Sequence, residues 1–181
     1  MLTKWKKISE ETIYRNNHWT YKLDKFKIPN RQSGEYHYVH TKGSTLIIPL
    51  LPSQKLLLVN QFRYLIDREA VEFPCGVLEA GLSPAENAQK ELREETGYKA
   101  ENLIYAGKFI PYSGVSDEIC HVFIATGLAE NPLTPDETEE FELLEFSIEE
   151  FENQIDKNRI DDGMTLAAWM LSKKKILSLL Q

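Results

Sequence analysis

Cysteine is scarce in this chain: Cys75 and Cys120 are the only two among 181 residues, and they stand far apart. Two lone thiols supply neither a disulfide framework nor the paired spacing of a zinc site, and a reducing cytoplasm is the expected compartment. Positive charge is also in short supply. Lys and Arg number 21 against 28 Asp and Glu, a net charge of -7, which argues against a nucleic-acid or anionic-membrane binder because both need a basic face. His18, His37, His40 and His121 show no metal-ligand spacing. Long apolar runs are missing too: residues 45–51 and 55–59 are strand-sized and separated by Pro52, so no membrane span is expected. The basic start at Lys4, Lys6 and Lys7 runs into polar residues instead of the apolar stretch of a secretion signal. No internal repeat or low-complexity segment occurs.

What remains is sufficient for one sizeable core, at 42% hydrophobic residues. Residues 11–41 alternate aromatic and β-branched with polar positions, and turn chemistry falls at Asn16-Asn17 and over 29–34. This pattern predicts an N-terminal antiparallel β appendage over 1–43, ahead of a main domain over 44–181. The runs flanking Pro52, Ser53 and Gln54 predict a hairpin whose second strand continues through Gln61, Phe62, Arg63 and Tyr64. Further strands are expected at 70–73, 104–109, 119–125 and 141–146, the last after an acidic loop over 136–140. Helices are expected over 148–158 and 165–180, the second burying Leu166, Trp169, Met170 and Leu177. Strands interspersed with a few helices, without regular alternation, predict an α/β protein of the α+β type: a mixed β-sheet between helices.

The informative segment starts at Ser83, which caps a helix with Pro84 in its first turn and Glu86 completing a Ser-x-x-Glu capping box; Gly97 supplies the stop. Ala85, Ala88 and Leu92 form its expected apolar stripe. Glu91, Glu94 and Glu95 stand at i, i+3 and i+4, three carboxylates along one turn. Each like-charge pair at that spacing costs roughly 0.2–0.5 kcal/mol, and the helix C-terminus disfavours anions further. Such a triplet is either a solvated face, partly neutralised by Arg93, or a cation site. The glycine-rich loop ahead of the helix and the fixed caps turn the balance towards cations, and hard oxygen ligands suit Mg2+ or Mn2+, which in turn hold phosphates.

The segment resembles the Nudix hydrolase signature, Gly-x5-Glu-x7-Arg-Glu-U-x-Glu-Glu-x-Gly-U with U apolar. Gly76, Glu91, Leu92, Glu94, Glu95, Gly97 and Tyr98 stand at matching positions, while Leu82 replaces the first Glu and Lys90 the Arg. In the family those two positions brace the loop and orient the metal-binding glutamates. Gln61-Phe62-Arg63, Glu72-Phe73-Pro74-Cys75-Gly76 and the segment from Pro111 to Glu118 resemble the ADP-ribose pyrophosphatase branch, with Ser113 where that branch has a second proline.

The resemblance implies Mg2+-dependent hydrolysis of the diphosphate linkage of a nucleoside diphosphate sugar, ADP-ribose to AMP and ribose 5-phosphate before others. GDP-mannose or another NDP-sugar or dinucleotide is the alternative within the class, and a weakly catalytic nucleotide sensor the alternative outside it. Glu91, Glu95, Glu94 and the backbone carbonyl of Cys75 are the implied metal ligands. A base is implied in the late acidic loop, with Glu140 ahead of Glu139 and Glu137. Arg63 is the implied diphosphate contact, Glu118 an implied sugar or metal-water contact, and Trp19, Tyr36 and Tyr38 are aromatic faces for a base. A small sheet does not bury its own aromatics, and members of the branch dock that region across a two-fold axis, so a homodimer is expected.

Overall fold

The computed structural model describes residues 2–135 and 137–181. The chain divides into two compact units, one of residues up to 43 together with 110–119, the other of 44–109 with 120–181. The smaller unit is a three-stranded antiparallel sheet of β1 (Lys6–Arg15), β2 (Thr20–Lys27) and β3 (Ser33–His40). Its first turn is built by the Asn16 carboxamide, which accepts from the backbone N–H groups of His18 and Trp19 at 2.9 and 2.8 Å. Asn30 takes the left-handed conformation in the second turn.

The larger unit holds a four-stranded mixed sheet in the order β7-β4-β9-β8 and a three-stranded sheet in the order β10-β5-β6. The strands are β4 (Ser44–Pro49), β5 (Leu56–Arg63), β6 (Arg68–Glu72), β7 (Cys75–Val77), β8 (Tyr98–Phe109), β9 (Cys120–Glu130) and β10 (Glu142–Phe146). The helices are α1 (Pro84–Thr96), α2 (Ile148–Asp156) and α3 (Gly163–Leu179). Strand alternation sorts the core into two layers. Leu46 and Ile48 of β4 and Val122 and Ile124 of β9 face Phe73, Phe151 and Trp169. On the opposite face Ile47, Phe123 and Ala125 meet Ala88 and Leu92 of α1. Full burial of each large apolar side chain contributes about 1.5–3 kcal/mol, so these two layers fix α1 on one face of the sheet and α2 and α3 towards the other.

The expected hairpin around Pro52 is not a ladder. The hairpin is confined to its turn, where the Leu51 N–H donates to the Lys55 carbonyl at 2.9 Å and Leu50 bridges Leu56; β4 and β5 themselves lie in different sheets, and β4 runs parallel to β9 instead. The buried face of α3 also differs: Thr165, Ala168, Trp169, Ser172 and Ile176 are buried, whereas Met170 is 77% exposed. β8 is an outermost strand and carries a bulge at Ala106. Lys175 of α3 donates to the carbonyls of Tyr105 and Ala106 at 3.1 and 3.0 Å. No helix among the described residues is long and apolar enough to cross a membrane.

Candidate active site

α1 begins and ends where its sequence signals stand. Ser83 Oγ accepts from the Glu86 N–H at 3.3 Å while the Glu86 carboxylate accepts from the Ser83 N–H at 2.8 Å, and Gly97 closes the helix at φ 77°. Ala88 and Leu92 of the expected stripe are fully buried against the sheet, but Ala85 is not part of it. Ala85 is exposed, and Asn87, Ala88, Leu92 and Glu95 are buried. The helix is therefore rolled so that two polar groups point inward, towards β7 and the loop ahead of α1.

Glu91 and Glu95 are brought together there. The Cys75 N–H lies 3.3 Å from both carboxylate oxygens of Glu95. Gly76, paired with Thr45 of β4, leaves the space that the Glu91 carboxylate occupies: a Cβ at that position would overlap it. Burial pushes the Glu91 carboxyl up to about 7, and the charges of Glu94 and Glu139 add to it against the pull of Lys90. Burial and then the neighbouring Glu91 hold Glu95 well above the usual carboxylate range, despite the Cys75 N–H. Glu94 is engaged by Lys90, which its bonds to Glu94 and Glu79 raise to about 12 against the opposing effect of burial. Arg93 does not neutralise the triplet; it binds the Asn131 carbonyl and carboxamide at 2.9 and 2.5 Å.

Two clefts of this unit are lined by residues that bear on the carboxylates, though Glu91, Glu94 and Glu95 themselves line neither. One of about 760 Å³ is lined by Arg63, Glu72, Cys75 and Glu139 among others. The other, about 510 Å³, shares Gln61, Phe62, Tyr64 and Glu139 with it and adds Glu140. Of the three acidic-loop glutamates, Glu139 lies close enough for its charge to raise both Glu91 and Glu95; Glu140 lines only the second cleft, and Glu137 neither. Arg63 is held by the nearly buried Glu72, whose carboxylate accepts from Nε at 2.8 Å and from Nη2. In the smaller unit Tyr36, Tyr38 and Glu118 line a separate cleft of about 400 Å³, whereas Trp19 packs near Tyr14 at 5.7 Å.

The sequence assigns no role to Asn87 or Glu79, and marks Glu72 only as part of a motif. A polar Asn87 beside Ala88 and four residues before Glu91 was the available signal for the first.

A cation site is chemically consistent with this cluster. Buried Glu95 and half-buried Glu91, reinforced by Glu94 and opposed by the Cys75 N–H, the Asn87 carboxamide, Lys90 and the charge of Arg63, still hold their protons more tightly than free carboxyls, and added positive charge would favour their ionisation. Among the described residues no three acidic, His or Cys side chains are gathered tightly enough to enclose an ion as they stand. The sign of the pH dependence follows. A carboxyl that holds its proton more tightly in the folded state stabilises the fold fully below about pH 4.5, and that contribution is lost as pH rises through about 7. For Glu91 it amounts to about 3 kcal/mol. The cation-free protein is expected to lose melting temperature over that window, and Glu91→Gln to flatten the profile, measured by calorimetric melts in chelator.

A family model for the NUDIX domain matches residues 40–168. The chain belongs to the Nudix family. This Nudix protein is 33% identical over 165 residues to the methanol dehydrogenase activator of Bacillus methanolicus, covering 90% of the chain and 89% of that protein. It is 32% identical, over the same length and shares, to the ADP-ribose pyrophosphatase of Bacillus subtilis strain 168. A crystal structure of an ADP compounds hydrolase superposes with a TM-score of 0.88 over 99% of this chain and 97% of the other, at 19% identity, and shows the same fold. This Nudix chain is a hydrolase acting on phosphoanhydride bonds.

Proposed function

We propose that the enzyme hydrolyses the diphosphate linkage of nucleoside diphosphate sugars, ADP-ribose foremost, to AMP and ribose 5-phosphate, with Mg2+ held by Glu91, Glu94, Glu95 and the Cys75 carbonyl. The observation that carries this reading is the pair of carboxyls on one helix, Glu95 buried and Glu91 half-buried, with the charge of Glu139 bearing on both and Arg63, Cys75 and Glu139 lining one cleft of the same unit. Bound there, a divalent cation would neutralise diphosphate charge and lower the pKa of a bound water. Arg63 presents its remaining Nη1 donors to the diphosphate while Glu72 keeps the guanidinium in one orientation. Glu139 takes the place of Glu140 as the acidic-loop carboxylate that accepts the proton, because its charge reaches the metal ligands. Tyr38 and Glu118 are proposed substrate contacts because they line one cleft of the smaller unit.

We further read the enzyme as a homodimer. All ten residues of β1 are exposed, among them the apolar Ile8 at 61%, Ile13 at 47% and Tyr14 at 57%, side chains that a second copy would cover, as light scattering at micromolar concentration tests directly.

The functional test is a panel of NDP-sugars and dinucleotides with and without Mg2+, reading released phosphomonoesters. Mg2+-dependent release of AMP and ribose 5-phosphate from ADP-ribose is the expected result. No release from any diphosphate with Mg2+ or Mn2+ would defeat the reading.

A further inference from the structure

In the signature that this chain resembles, a glutamate at the position of Leu82 and an arginine at that of Lys90 brace the loop against the helix. Leu82 brings no charge, yet Lys90 does not go without an acid in the loop: its ammonium lies 3.2 Å from the Glu79 carboxylate and also engages Glu94. Glu79 stands three positions earlier in the same loop and is held a second time, by its backbone. Its N–H donates to Asn87 Oδ1 at 2.9 Å. Asn87 is completely buried, and its Nδ2 reaches both Thr45 Oγ1 of β4 at 2.9 Å and Glu91 Oε1 at 3.4 Å. Two lines of contact thus leave Glu79. One passes through its side chain and Lys90 to Glu94, the other through its N–H and Asn87 to Glu91.

We propose that Glu79, Lys90 and Asn87 are positioning residues for the cation-binding carboxylates, the loop brace having moved from position 82 to position 79. The inference rests on the reading of Glu91 and Glu94 as cation ligands. Its physical ground is that carboxylates crowded along one helical turn repel, so that their orientation has to be imposed by partners outside the cation itself. Lys90 supplies the compensating charge for Glu94, and Asn87 supplies a directed donor for Glu91 from a carboxamide locked by two other bonds. The Glu79–Lys90 pair has side-chain exposures of 51% and 32%, so it adds little to stability. Its effect is therefore on ligand geometry, and it separates cleanly from folding. Glu79 ties both lines to one loop residue.

The test compares the full-length wild type, Glu79→Gln and Glu79→Gln/Leu82→Glu by calorimetric titration with Mn2+ and by Mg2+-dependent turnover of ADP-ribose. Glu79→Gln is expected to weaken Mn2+ binding and to lower kcat roughly 10-fold, as the loss of an outer partner of a metal ligand does. KM for ADP-ribose and the melting temperature stay near wild type, a split that a purely structural role would not produce. The double variant, which returns a carboxylate to position 82, recovers most of both losses. Wild-type Mn2+ affinity in Glu79→Gln overturns the proposal, and so does a loss that Leu82→Glu leaves unrepaired. A wild type that takes up Mn2+ yet releases no phosphomonoester defeats the functional reading instead, and the Mn2+ affinities still decide the brace.

Discussion

Glu95→Gln is expected to lower kcat/KM at least roughly 1,000-fold, about 4 kcal/mol of transition-state stabilisation, while raising the melting temperature of the cation-free protein. The two effects share one cause. Glu95 is 7% exposed, and its carboxylate is disfavoured first by burial and then by the charge of Glu91. An amide keeps the size of the side chain and one acceptor for the Cys75 N–H, but removes the charge that the fold opposes and a cation would require. Burying a group at a stability cost is intelligible where that group serves chemistry. Steady-state kinetics beside calorimetric melts check both halves; an enzyme that keeps more than roughly a tenth of its activity would remove Glu95 from the reaction.

Gly76→Ala is the second large effect, and it isolates geometry from charge. The new methyl would overlap the Glu91 carboxylate, the far end of a flexible side chain and not backbone. Gly76 does not occupy the left-handed region, so alanine meets no backbone penalty there. The side chain can yield, β7 and α1 can stay in place, and the carboxylate is displaced. A misplacement on the order of 1 Å is worth about 100-fold in rate. The expected outcome is a cooperative melt close to wild type together with a loss of that size in kcat. Equal losses of activity and of folded protein would instead make Gly76 a packing residue.

How much of this was legible in the sequence depended on how local the determining forces are. α1 could be read to its ends because the Ser83–Glu86 box and Gly97 act within a few residues. The smaller sheet was readable for the same reason, through turns made by Asn16 and Asn30. The link from β4 to β5 was misread, since two apolar runs around a proline look alike whether they pair with each other or with partners far along the chain. Here β4 pairs with β9, and no local rule states that preference. α3 offers apolar residues on every side, so periodicity could not choose Ile176 over Met170. In the acidic loop, side-chain direction has no period at all, so neighbouring glutamates look alike in the sequence, and the fold sets Glu139 apart by placing it in the cleft that Arg63 and Cys75 line. Asn87 was overlooked because a helical carboxamide is read as solvent-facing unless its partners, Thr45 and the Glu79 N–H, are known.

The ammonium of Lys175 sits over the carbonyls of Tyr105 and Ala106 on the outermost strand of the larger sheet. Two acceptors that an incoming strand from another molecule would need are already taken, and the ammonium guarding them has no way to accept in return. At this bulged stretch of the rim another chain would meet a donor in place of two free acceptors, which makes it a poor point for a strand to add.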